Sequence, residues 1–297
     1  MVWTRLHDSF AYRSSRLYRG AAKLLPLSRI AQKPGLGLTY VTFGGAGHAA
    51  MLIESVISLG RTWPRLPRVR IVSDGTLNLE RTRKALSRWP GPLEVVDWRD
   101  LLPAVPANHL QKLQTFARRE PMGRKLVAIV ASAIAAPTLY CDCDFLWFRH
   151  PPTLDHLLRQ APPLICMSAD PRPAYDPGLV PDRLPELARP PHSCAGLLFA
   201  YGDFISAGDG TALMIYLAER GFGLSEQTFL AEMNRRLGDA RWPEDEIALN
   251  EVGRTSLRPS FNDQPWSARH YVGSVRHLFW RDAIALRFRP ATPPCAS

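Results

Sequence analysis

The chain has 297 residues, 46% of them hydrophobic and 22% charged, which excludes disorder over most of its length and a core that needs disulfide or metal staples. Its formal charge is +10, and 32 of its 37 basic residues are Arg, a balance that suits phosphate-bearing ligands, nucleic acid or anionic lipid alike. Five cysteines, an odd count without a secretory leader, exclude a disulfide scaffold and point to the cytoplasm. The longest apolar run, Leu126 to Tyr140, is broken by Ser132 and Pro137, so no membrane-spanning segment is expected.

Residues 1–33 carry one helical stripe, Trp3, Leu6, Phe10, Leu17, Ala21 and Leu24. Arg5, Arg13, Arg16, Arg19, Lys23, Arg29 and Lys33 stand against the single acid Asp8. Such a basic amphipathic helix docks on its own domain or lies on an anionic membrane surface. Lys33-Pro34-Gly35 is a boundary, which divides the chain into 1–35, a domain over 36–290 and a loose tail over 291–297.

The domain opens with a strand at Leu38–Phe43, a Gly-rich turn from Gly44 to Gly47 and a helix at Ala49–Leu59. A strand at Arg68–Val72, a helix at Leu79–Arg88 and a strand at Leu93–Val96 follow. Strand and helix alternate, which predicts a mostly parallel sheet covered on both faces, a three-layer α/β/α domain. A helix is expected over Gly123–Ala136 and one central strand over Thr138–Trp147. Next come a short strand at Leu164–Met167 and a long loop over 170–191 with seven prolines, of the kind that is often functional. A strand at Ala195–Tyr201 and helices at Thr211–Arg220 and Ser225–Leu237 complete the pattern.

The stretch Tyr140-Cys141-Asp142-Cys143-Asp144-Phe145 holds the most chemistry. In a strand, Asp142 and Asp144 point the same way. Two adjacent carboxylates in an apolar setting repel and lose hydration, so they call for a cation between them. Oxygen ligands suit Mg²⁺ or Mn²⁺. His270, followed by Gly273 and Arg276, can add a nitrogen ligand, a close backbone approach and a guanidinium fork for phosphate.

These motifs resemble the GT-A glycosyltransferases, and family 8 in particular. YCDCDFLWF is similar to that group's D-x-D strand, and His270-x-x-Gly273-x-x-Arg276 to its closing H-x-x-G-x-x-K-P-W. Ser193 to Leu198 resembles its F-N-A-G-V-L segment, and Glu226-Gln227 stands where it has D-Q. The four recur in the family's order across residues 38–280. Arg276 replaces the family's Lys, Cys194 its Asn and Glu226 its Asp; the Pro-Trp is missing, with Trp280 four residues on.

The resemblance implies a GT-A fold and a nucleoside diphosphate sugar, UDP-sugar first, as donor. It also implies Mn²⁺ (or Mg²⁺) held by Asp142, Asp144 and His270. Asp142 also meets the donor ribose, Gly273 and Arg276 hold the diphosphate, and Thr42, Gly44 and Asp74 lie along the nucleoside. Lys125 is a further cation for the developing charge. Gln227 near the anomeric carbon implies retention, whereas Glu226 as a base implies inversion. The acceptor is a glycan, lipid or small molecule, with no nucleic acid partner. Peripheral contact at the inner membrane surface through the first helix stays open.

A rival reading takes Gly45-Ala46-Gly47-His48-Ala49-Ala50 as G-x-G-x-x-A, with Asp74 ending the next strand. It predicts an NAD- or S-adenosylmethionine-dependent enzyme but leaves the paired acids unexplained. A non-enzymatic basic binding module is the third class, although the aromatics are not interleaved with basic runs.

Overall fold

The computed structural model describes residues 13–22, 24–27, 29–252, 254, 256, 258–262 and 264–290. Trp3, Leu6 and Phe10 of the expected stripe, and the tail 291–297, lie outside the described residues.

Seven strands form the main sheet in the order β3-β2-β1-β4-β7-β6-β8. They are β1 (Gly35–Gly44), β2 (Leu66–Ser73), β3 (Leu93–Asp97), β4 (Thr138–Cys141), β6 (Leu164–Asp170), β7 (His192–Tyr201) and β8 (Ala240–Arg241). Only β7 opposes its neighbours; β3, β2, β1 and β4 are parallel, as are β6 and β8. A second sheet of three strands, β5 (Phe145–Trp147), β10 (Ala268–His270) and β9 (Ile247–Ala248), stands beside it.

Side chains alternate along β1 and so feed two cores. Val41 and Phe43 pack beneath α4 (Ala107–Arg119), α5 (Pro121–Ala135), α8 (Thr211–Arg220) and α9 (Gly223–Arg236). Leu38 and Tyr40 pack beneath α2 (Ala49–Thr62) and α3 (Leu79–Ala85). This is the expected three-layer arrangement. α5 is buried almost all round because it lies between the sheet, α4 and α9, which explains its unbroken Leu126–Ala133 run.

Several expectations are corrected. The central strand is not continuous from Thr138 to Trp147: β4 ends at Cys141, the chain turns through Asp142–Asp144, and β5 joins the other sheet. Residues 98–122, which carried no assignment, include α4, and the stretch after His270 holds α10 (Phe279–Phe288). The long loop over 170–191 is present, with Tyr175, Leu179, Leu184 and Leu187 buried in the core and Pro185–Ala188 forming a 3₁₀ turn. The expected helix ending at Arg88 stops as α3 at Ala85.

Residues 13–22 form a helix (α1). Ala22 and Tyr18 meet a third core that includes Tyr271, Phe279 and Trp280, so the helix docks on its own domain. The anticipated apolar stripe is not the docked face: Leu17 and Leu24 are 77% and 88% exposed. Lys33 does not belong to that surface either. It is buried, and its ammonium donates to the carbonyls of Gly60 and Trp63 at the C-terminus of α2, where the helix dipole favours a cation. Among the described residues, no helix is long and apolar enough to cross a membrane.

Candidate active site

The turn after β4 brings the two acids to the junction of the two sheets. Asp142 N–H donates to Gly196 O of β7 at 2.8 Å, and Tyr271 N–H donates to Asp144 O at 2.8 Å, so each acid is anchored to a different sheet. β10 pairs antiparallel with β5, opposing His270 to Phe145, and the imidazole stacks on the Phe145 ring with centroids 4.4 Å apart. Asp142, Asp144 and His270 each offer a ligand atom within 4.8 Å of the others.

His270 Nε2 lies 3.1 Å from Asp144 Oδ1 and 3.8 Å from Asp142 Oδ2. Its Nδ1 faces the Cys194 thiol at 3.8 Å, so Nε2 is the nitrogen presented to the carboxylates. Arg276 Nη2 donates to Asp144 Oδ2 at 2.8 Å. Burial alone would raise the Asp144 pKa, but the His270 and Arg276 charges outweigh it and hold the carboxyl below its ordinary range. Burial likewise opposes protonation of His270, and the Asp144 carboxylate reverses that, lifting the imidazole well above its usual value. Two carboxylates and an imidazole suit a hard or borderline divalent ion that keeps open positions for phosphate oxygens or water. Such an ion would take the place of the proton on His270.

These groups line a cleft of about 430 Å³ that also reaches Lys125, Glu226, Gln227, Gly273 and Arg276. Lys125 does not face water, as a surface helix lysine would. It is buried in α5, donates to Ala195 O at 2.9 Å, and lies 3.4 Å from Asp142 Oδ1 and 3.3 Å from Glu226 Oε1. Burial lowers its pKa, yet the two carboxylates more than compensate, so the ammonium is retained. Glu226 in α9 is buried, and burial pushes its carboxyl up to about 7, with Lys125 opposing and Asp142 reinforcing the shift. Its Oε1 forms an ion pair with Lys125 but has no hydrogen-bond partner. Gln227 is different, because both ends of its amide are engaged: Oε1 accepts from Ala195 N–H at 3.2 Å and Nε2 donates to Ala174 O at 3.1 Å. It ties the loop after β6 to β7.

Thr42, Gly44 and Asp74 lie outside that cleft's lining. β1 pairs Val41 with Tyr140, which sets Thr42 and Gly44 one strand across from the Asp142 turn. The Thr42 hydroxyl is buried and has no hydrogen-bond partner. Asp74 Oδ1 accepts from Thr76 N–H and Oγ1–H, at 2.8 and 2.7 Å. A Cβ on Gly45 would come within 2.2 Å of Asp74 Oδ2, so the fingerprint glycine makes room for the chain's own aspartate. A dinucleotide sheet of two parallel halves would also stay parallel past β4, where β7 here runs the other way.

Four contributors were not singled out from the sequence. Tyr140 donates its hydroxyl to Asp142 Oδ1 at 2.6 Å; the i, i+2 spacing in an apolar strand was the available signal. Gly196 was quoted only within a motif. A Cβ there would fall 2.4 Å from His270 Cε1, so the site requires glycine. Asn250 and Glu251 form part of the opposite wall in a stretch without periodicity.

No protein-family model matches the sequence, and no curated protein matches it. Solved structures do. The bifunctional glycosyltransferase WbbM in its apo form superposes with a TM-score of 0.53 at 13% identity, over 89% of this chain and 51% of that one. The chain has the GT-A fold. The galactosyltransferase LgtC, solved with donor and acceptor sugar analogues, matches over 86% of this chain and 98% of its own at 13% identity, TM-score 0.48. Core-mannan synthase A from Aspergillus fumigatus, in a Mn/GDP form, matches over 71% of this chain and 72% of its own at 12% identity, TM-score 0.44. Within this GT-A sheet, the Asp142–Asp144 turn stands at the end of β4, where the parallel half meets the antiparallel β7.

Proposed function

We propose that the protein is a glycosyltransferase. It moves a sugar from a nucleoside diphosphate donor, UDP-sugar first, to a glycan, lipid or small-molecule acceptor, with residues 36–290 as the catalytic unit. The observation that carries the reading is the convergence of Asp142, Asp144 and His270 beside a cleft that also holds one buried cation and one buried acid. Asp142, Asp144 and His270 would hold Mn²⁺ or Mg²⁺. That ion would neutralise charge on the departing diphosphate.

The chain's own residues supply the rest. Arg276, its side chain 54% exposed, can turn its fork from Asp144 to a phosphate oxygen once a divalent cation balances that carboxylate. Gly273 adopts φ +58°, a conformation that favours glycine and bends the backbone into the cleft wall. Lys125 sets a fixed positive charge at the floor, and no solvent reorganises around it as the leaving group gains charge. Thr42, Gly44 and Asp74 border the nucleoside.

Glu226, with a free acceptor atom and a pKa of about 7, is suited to receive a proton or a sugar hydroxyl. This favours Glu226 over Gln227 as the group that meets the reacting sugar, since the Gln227 amide is spent on Ala195 and Ala174. A peripheral contact with an anionic membrane through α1 is supported by the exposed Leu17 among Arg13, Arg16 and Arg19, with the exposed Leu24 two residues past Ala22.

The test of the metal site is Mn²⁺ titration by calorimetry on wild type, Asp142→Asn and Asp144→Asn. Loss of binding in both variants with an unchanged circular dichroism spectrum is the expected result. Equal Mn²⁺ affinity in all three proteins would refute the assignment.

A further inference from the structure

A second and larger groove, about 730 Å³, lies between α1 and the segment 273–280. Gly273, Ser274 and Arg276 line both this groove and the catalytic cleft, so the two spaces adjoin along that segment. Its remaining arginines are Arg16, Arg19 and Arg254, and among the described residues no Asp or Glu contributes to its lining. Two of the arginines already have counterions: Arg276 pairs with Asp144, and Arg254 lies 3.5 Å from Glu251. Arg16 and Arg19 are exposed and form no ion pair among the described residues. One helical turn apart, they sit on the same side of α1. Trp280 provides an apolar wall.

We propose that this groove is a second anion site, which binds a phosphate group carried by the acceptor while the nucleotide occupies the cleft. The acceptor role rests on the glycosyltransferase reading; the anion site itself does not. Arg16 and Arg19, one turn apart and without an ion pair among the described residues, repel one another, and a phosphate relieves that repulsion through the bidentate geometry guanidinium offers. A phosphate held there stands beside Gly273 and Arg276, at the border of the reaction cleft. The acceptor class is therefore a phosphorylated sugar or a lipid with a phosphate headgroup, rather than a neutral glycan.

The test uses two probes, inorganic phosphate and monomeric dihexanoyl phosphatidylglycerol. Each is titrated by calorimetry into wild type and into Arg16→Gln/Arg19→Gln, with and without saturating UDP and Mg²⁺. The expected result is binding to wild type that persists with UDP bound, weakens as salt is raised, and falls at least about fivefold in the double variant. UDP affinity should stay the same in both proteins. Binding of phosphate alone assigns a water-soluble acceptor, and binding of the lipid assigns a lipid-borne one.

The proposal is overturned if neither probe binds wild type, if the double variant binds both as well as wild type does, or if UDP displaces the probe. The last result would make the groove part of the nucleotide site. Arginine-dependent phosphate binding in a protein that takes no nucleotide would keep the anion site and remove the glycosyltransferase reading instead. Arg16→Lys/Arg19→Lys, which keeps charge and loses the fork, should bind at an intermediate affinity.

Discussion

The two walls of the cleft are built on opposite terms. The inner wall, from β4, β7, α5 and α9, is buried, and its charges neutralise one another: Lys125 lies between Asp142 and Glu226, and His270 against Asp144. The outer wall, from residues 249–251 and 272–276 with α1 beyond it, is mostly exposed and carries Arg16, Arg19 and Arg276. The ion pair of Arg172 with Glu251, at 4.0 Å, lies in solvent. Low polarity strengthens every interaction of the inner wall, and water screens those of the outer wall. The inner wall is thus preorganised for one chemistry, while the outer wall is free to vary with the acceptor.

Substitutions can break that contrast. The largest expected effect is at the acids: Asp144→Asn should abolish metal-dependent turnover and weaken Mn²⁺ binding by at least about 100-fold, read by calorimetry. Gly196→Ala should act almost as strongly without touching a ligand atom, because its methyl would displace His270. A drop of about 10- to 100-fold in Mn²⁺ affinity is expected, and an unchanged affinity would show that His270 is not a ligand.

Glu226→Gln sharpens the contrast, since it separates catalysis from stability. The Glu226 carboxyl titrates at about 7 in the fold against an ordinary 4.5, so its ionisation costs the folded state stability as pH rises through that window. The variant should lose about 100-fold in turnover yet melt at or above the wild-type temperature at pH 8. A lower melting temperature there would mean that the ion pair with Lys125 is net stabilising. The smallest effect is on the outer wall: Arg172→Ala should leave the melting temperature within about 1 °C, as exposed pairs contribute little.

The same division governs what the sequence disclosed. Short apolar runs alternating with turn residues and helical periodicity made β1, β2, β3, α2 and α3 legible from local pattern, whereas α4, which follows β3, was not. Asp142 and Asp144 stood out as paired acids in an apolar stretch and His270, Gly273 and Arg276 as a possible ligand and phosphate set, and the order of the motifs then carried the resemblance. The break between β4 and β5 was invisible, because Phe145-Leu146-Trp147 continues an apolar strand and the exchange of sheets is decided by pairing with β10, more than 120 residues away. Lys125 and Glu226 could each be picked out alone, but only α5 and α9 packing on β7 makes them partners. The segment after β10 had no periodicity to read, and that Arg16 and Arg19 of the first helix line one groove with Arg276 emerges only in the tertiary fold.

The most direct test of the central claim is nucleotide release from a panel of UDP-, GDP-, ADP- and dTDP-sugars, measured with Mn²⁺ and with EDTA. The account predicts release from one donor, UDP-sugar first, that requires the metal and disappears in Asp142→Asn. Release that is indifferent to EDTA, or no nucleoside diphosphate bound by a folded protein, would contradict it.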